Sequence, residues 1–259
     1  MVAVAAEHGG RIARIIVDGL DLLAGRDRPG GDGPLLWGCY PMVPWPGRLD
    51  RGQLRFAGQI HRFPLTLPPH AIHGTTWASP WIVTSESEAR ATLAVDLAPP
   101  WPFGGRAEHR IALADDHLRL QLVVTAGEQP MPAAVGWHPW FRRRLSQGRP
   151  AELAFSAGSM WERGPDGLPT RRLVDPPPGP WDDCFTALDD PPTVTWPDAL
   201  TLTIEHDCDH LVVYDEQAAA LCVEPQTLPP DGLNHDAGVL HPGDQLSATC
   251  TLRWGRPGQ

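Results

Sequence analysis

No stretch of this 259-residue chain is apolar for long enough to cross a bilayer, so no membrane association is expected. Positive charge is in short supply: 21 Lys and Arg face 31 Asp and Glu, a formal net charge of −10. A nucleic-acid binder needs a basic face to neutralise phosphates, and this composition argues against that class. The five cysteines, Cys39, Cys184, Cys208, Cys222 and Cys250, are odd in number and never spaced C-x-x-C. They form neither a disulfide framework nor a zinc ligand set. Free thiols in a reducing compartment are the expectation. Residues 1–8 have no basic segment ahead of an apolar run, so no signal peptide is expected, and a cytoplasmic location is the corresponding expectation. No fixed-period repeat occurs, and no window makes an amphipathic helix of more than two turns.

What the chain has is turns and strands. The 30 Pro and 26 Gly raise the question of disorder. The 11 Trp and 42% hydrophobic content answer it, since disordered chains are poor in aromatics. Period-two alternation marks Leu118–Thr125 over its first half, and 244–254, 91–97 and 200–205 over most of their length. Shorter candidates are 11–17, 60–65, 81–84, 110–113, 211–214 and 220–224, and 51–58 reads as a strand entering a hairpin. Turn clusters at 27–33, 164–167, 176–180 and 229–232 separate them. About a dozen strands at this spacing predict an all-β fold. One polar face per strand predicts antiparallel sheets on a common core. Strands continue on both sides of the Pro-rich stretch 176–180, so residues 1–259 read as one domain with a loop there.

Three short strings carry the chemistry: His70-Ala-Ile-His73-Gly74, Gly136-Trp-His138-Pro-Trp-Phe141 and Val223-Glu224-Pro-Gln-Thr227. Each sets an ionisable group beside Gly, Pro or an aromatic. His138 among aromatics and proline loses hydration, which disfavours its cation and brings it to where protons exchange at neutral pH. Glu224 ends the apolar run Leu221-Cys-Val, where a carboxylate must be paired, hydrated or functional. Read singly, each has a plain alternative. His138 fits a packed histidine on a backbone carbonyl, Glu224 a salt bridge at a sheet edge, and Arg48 a solvated charge. His70 and His73 fit loop histidines or metal ligands. Read together, a His and a Glu on opposite sides of one small molecule make an acid/base pair.

In order, Pro44-Trp-Pro-Gly-Arg48-Leu49, the Gly52–Gly58 strand, His73-Gly74, Gly136–Phe141, Asp183-Cys-Phe185 and Glu224-Pro225 resemble the aldose 1-epimerase (galactose mutarotase) family. The resemblance covers roughly residues 40–230. It implies a large antiparallel β-sandwich, the family's supersandwich, with little helix and a sugar site on one sheet. It implies that Glu224 is the general base at the anomeric hydroxyl and His138 the general acid at the ring oxygen. It assigns Arg48, His73 and Asp183 to the sugar hydroxyls. Such a reaction moves only protons, so neither metal nor cofactor is expected. The partner is a small sugar, with an aldohexose favoured, and the assembly a monomer or homodimer.

This chain departs from the family at Pro68-Pro-His-Ala-Ile72 before the first His-Gly, and at Trp140, where Tyr is usual. Trp77, Trp137 and Trp140 could stack on a sugar, though core packing is the plainer fate of each. Arg142-Arg-Arg144 reads as a solvated edge, or as an anion site for a phosphorylated or sulfonated sugar. Two other classes stay in play. One is a catalytically silent carbohydrate-binding protein, which would need no His138 and Glu224 pair. The other is a cupin-like metal enzyme built on His70, His73, His138 and Glu224, although the tight H-x-H ligand arrangement is missing.

Overall fold

Alternate side chains of an extended chain point to opposite faces, and the patterned segments become strands for that reason. The strand His117–Thr125 buries Leu118, Leu120, Leu122 and Val124 and leaves Arg119 in solvent. Each buried leucine of this kind contributes roughly 1.5–3 kcal/mol. The computed structural model describes residues 1–26 and 33–256. Of the expected turn cluster at 27–33, only Gly33 falls within them.

Eight strands make one antiparallel sheet, in the order Glu152–Ala154, Thr193–Trp196, Leu200–His206, Gln245–Gly255, His117–Thr125, Arg106–Leu113, Arg90–Asp96 and Ile82–Ser87. The larger sheet runs Val2–Ala5, Arg11–Val17, Cys39–Met42, Gly136–Arg142, Ala220–Gln226, His210–Tyr214, Asp182–Leu188, Ala157–Arg163 and Pro169–Val174. The short strand Leu20–Asp21 pairs onto Arg11–Val17 beside this path. The main apolar cluster takes Ile12, Phe141, Leu221 and Val223 from the larger sheet and Leu93, Leu122, Leu202 and Leu252 from the smaller. The architecture is the all-β antiparallel sandwich expected. Among the described residues helix is limited to three-residue 3₁₀ turns, such as Ala6–His8 and Gly232–Asn234. Among the described residues no helix is long and apolar enough to cross a membrane.

The strands that sequence patterning misses lie at the middle of the larger sheet. Cys39–Met42 and Gly136–Arg142 pair with each other there, and both contain proline. Neither alternates, because both faces of each are buried. On Gly136–Arg142, Trp137 and Phe141 enter the core between the sheets. Trp140 turns to the outer face, where it joins a second cluster with Tyr40, Met42, Ala220 and Cys222. Loops fold over that outer face and leave a cavity against it.

Candidate active site

The contact between His138 and Glu224 is set by strand register. Gly136 pairs with Gln226 and Trp140 with Cys222; the same register puts His138 opposite Glu224. Pairing is interrupted between those two points, where Pro139 and Pro225 have no N–H to contribute. His138 Nε2 lies 3.2 Å from Glu224 Oε1, and both side chains are buried. The expectation that they flank a ligand from opposite sides is therefore corrected. Cross-strand partners on one face are neighbours, so the two side chains share one wall.

That wall closes a cavity of about 390 Å³, within the range of small-molecule sites. Arg48, His73, Asp182 and Trp140 line it with the pair. Arg48 Nη2 donates to Asp182 Oδ2 at 3.1 Å. The Gly47 N–H donates to His73 Nδ1 at 3.2 Å, which leaves the proton of a neutral ring on Nε2. Loop geometry explains the His-Gly string. His73 has φ 59° and Gly74 φ 78°, and a Cβ on Gly74 would come within 1.9 Å of the Val43 carbonyl oxygen. Only glycine fits there.

Asp183 does not line this cavity; its neighbour Asp182 does. Side chains alternate along the strand Asp182–Leu188, so a shift of one residue changes face. Asp183 instead meets Arg163 Nε at 3.2 Å. His70 also lies elsewhere: its Nδ1 accepts from the Arg51 N–H at 3.2 Å, and its Nε2 lies 2.9 Å from the Asp166 carbonyl. The four groups of the cupin-like reading are thus not gathered around this cavity. Trp137 is core, and its Nε1 donates to His109 at 3.2 Å. Trp77 packs half-buried against the outer cluster. Arg142 to Arg144 are absent from the cavity lining. Arg142 Nη2 lies 3.8 Å from Asp21, and Arg143 donates to the Gln217 and Asp215 carbonyls.

Burial governs the protonation of the pair. It raises Glu224 well above the usual carboxylate range; the Asp182 charge adds to this and Arg48 opposes it. Burial lowers His138 to about 3, with the Arg11 charge acting the same way. His73 is also held well below its usual value by burial, His138 and Arg48. Both shifts disfavour charge, and a pair that shares one proton, as imidazole and carboxylic acid, buries none.

Several groups that hold the pair carry no sequence signature. The rings of Tyr40 and Trp140 stack on the His138 imidazole at 4.9 and 5.1 Å between centroids. Behind them is Arg11, only 1% exposed. It donates to the carbonyls of His8, Pro34, Trp37 and Trp77 at 2.6–3.0 Å, and lies over the Trp37 and Tyr40 rings. Its partners are backbone oxygens, and backbone acceptors are invisible in a residue pattern.

Comparison with known proteins agrees with this architecture. An uncharacterised Escherichia coli K12 protein, YphB, is 26% identical over 106 residues, 40% of this chain and 36% of that protein; the match thus spans about a third of the relative's length. A galactose mutarotase-like protein from Clostridium acetobutylicum superimposes with a TM-score of 0.86 at 18% identity, covering 98% of this chain and 92% of that one. The galactose 1-epimerase from Lactobacillus acidophilus NCFM gives 0.80 at 17%, covering 98% and 91%. These likenesses establish the fold. The family assignment rests on residues 1–253, which match the aldose 1-epimerase family throughout, and the chain belongs to that family.

Proposed function

We propose that this protein interconverts the α and β anomers of a neutral aldose without a cofactor. The observation that carries the reading is the buried contact of His138 and Glu224 at the wall of a sugar-sized cavity. In a cyclic aldose the anomeric hydroxyl and the ring oxygen hang from the same carbon. An acid and a base that act on them must stand side by side, as these do. Glu224 as carboxylate takes the hydroxyl proton, and His138 as imidazolium gives one to the ring oxygen. The bond from the anomeric carbon to the ring oxygen breaks, leaving an open-chain aldehyde. Rotation about the adjacent carbon–carbon bond and the reverse proton transfers close the ring on the other face. Before and after ring opening, the pair holds the same single proton in its two arrangements, so no net charge is created in the buried wall.

Arg48, His73 and Asp182 are the proposed hydroxyl-binding groups; the assignment to Asp182 replaces that to Asp183. Arg48 and Arg163 are matched by Asp182 and Asp183. Glu216 and Glu224 add acidic groups to the lining, and the Arg142–Arg144 run is not part of it. That balance favours a neutral sugar over a phosphorylated or sulfonated one. Polarimetry of freshly dissolved α-anomers of glucose and galactose tests the reading. The enzyme accelerates the approach to equilibrium, and Glu224→Gln loses roughly 10²-fold or more of that acceleration. A folded Glu224→Gln protein with the wild-type rate overturns the assignment.

A further inference from the structure

We propose that His138, Glu224 and Cys222 form a binding site for a soft divalent metal ion, Zn²⁺ or Cd²⁺, whose occupation blocks the acid/base pair. Cys222 and Glu224 are two apart on one strand and share its outer face. His138 faces Glu224 from the next strand. One donor atom from each of the three lies within 4.8 Å of the other two, and all three residues are buried. Tetrahedral zinc with bonds of about 2.0–2.3 Å needs ligand atoms roughly 3–4 Å apart, so the donors must close in by on the order of 1 Å to hold an ion.

Two further features fit an ion. His138 Nε2, the ring nitrogen offered, already faces Glu224 at 3.2 Å; as a metal binds there the ring proton sits on Nδ1, which has no hydrogen-bond partner among the described residues, at the cost of one unpaired N–H. Charge also balances. A divalent ion, one thiolate and one carboxylate sum to zero, which relieves the cost of burying charge in a wall of apolar groups. The thiol proton and any proton on Glu224 leave to solvent as the metal–sulfur and metal–oxygen bonds form. The fourth position opens to the cavity and takes water, as in three-ligand zinc sites. An N, S, O donor set selects zinc or cadmium over magnesium or calcium.

This site is distinct from the cupin-like set, since it uses Cys222 and neither His70 nor His73. Its inhibitory effect rests on the function proposed above; its binding does not. The test is a Cd²⁺ titration of chelator-treated protein, read by the ultraviolet thiolate-to-cadmium charge-transfer band and, in parallel, by mutarotation rate. We expect one equivalent of Cd²⁺ to produce the band and stop turnover, and EDTA to restore it. Cys222→Ala and the near-isosteric Cys222→Ser should lose the band, with Cd²⁺ inhibition weakened on the order of 10-fold or more, while metal-free turnover persists. Near-UV circular dichroism confirms that each variant is folded. Wild-type protein with no band at one equivalent overturns the site. So does an unchanged band in both variants, which would place the metal on another cysteine. Binding with an unaltered rate overturns the blocking role. If no sugar is turned over at all, the band still decides the site, and the failure belongs to the proposed function.

Discussion

Tyr40 and Trp140 donate hydrogen bonds to the same acceptor, the Leu35 carbonyl, at 3.3 and 2.8 Å, while both rings stack on His138. One backbone oxygen thus ties two rings and, through them, the orientation of the imidazole. Leu35 itself lines the cavity, so the loop that walls the cavity also holds the imidazole. The π faces favour the imidazolium and oppose the effect of burial.

Trp140→Phe separates these roles. It keeps a ring beside His138 and removes the N–H, leaving Leu35 to Tyr40. The loss of one hydrogen bond, about 1 kcal/mol, predicts a kcat lower by roughly 5-fold with KM little changed. Trp140→Leu removes the π face as well. It should cost more and move the His138 limb of the pH–rate profile to lower pH, because the cation loses its stabilising ring. Wild-type kinetics in both variants would show that the arrangement is packing alone.

The two adjacent aspartates make opposite predictions. Asp182 accepts from Arg48 and Arg163, both at 3.1 Å, at the cavity wall. Asp182→Asn loses charge-assisted bonds of about 1.5–3 kcal/mol each, so KM should rise by at least about 10-fold. After burial, the Asp182 charge is the next cause that raises Glu224. Its removal therefore shifts the Glu224 limb of the pH–rate profile to lower pH. Asp183→Asn should leave KM within about 2-fold, because that side chain meets Arg163 and the Asp182 N–H and does not line the cavity. Steady-state kinetics with the same aldose decide, and a KM effect confined to Asp183→Asn would reverse the assignment.

Legibility from sequence followed burial. Strands with one wet face, such as His117–Thr125 and Leu200–His206, carry the alternation that marks them. Gly136–Arg142 is covered on both faces, so alternation is lost where the site is built. Arg48, His73, His138 and Glu224 could be named from short motifs, and the structure brings all four to one cavity. Asp182 rather than Asp183 lines the cavity, since two adjacent carboxylates differ only in which face the strand gives them. Leu35 and Arg11 act through backbone carbonyls, which leave no mark on residue identity.

The arginine run allows a test of substrate charge. Arg142 reaches toward Asp21, Arg144 is exposed, and neither lines the cavity. Arg142→Ala/Arg144→Ala should therefore leave KM for a neutral aldose within about 2-fold. Arg143→Ala should raise it, because Arg143 holds the carbonyls of Asp215 and Gln217 in the loop that carries Glu216 and Gln217 to the cavity. A sugar phosphate with a KM well below that of the neutral sugar, an advantage abolished by the double variant, would overturn the neutral-substrate reading.

The core itself predicts acid lability. His109 is fully buried; its Nδ1 lies 3.0 Å from the Gly10 carbonyl, and its Nε2 accepts from Trp137 Nε1. Those partners fix the neutral tautomer, because a proton on Nε2 would face the indole N–H. Burial accordingly lowers its pKa to about 4, against which the Gly10 bond acts only partly. The unfolded chain takes up a proton near pH 6.5, the folded one only near 4. Stability is thus retained above about pH 6.5 and lost as pH falls toward 4, by roughly 3 kcal/mol from this group. His109→Gln can still donate to Gly10 and accept from Trp137, but it has nothing to titrate. Urea unfolding at pH 7 and pH 4.5 should show a clearly smaller loss in the variant than in the wild type. An equal loss in both would assign the acid lability to the other buried histidines instead.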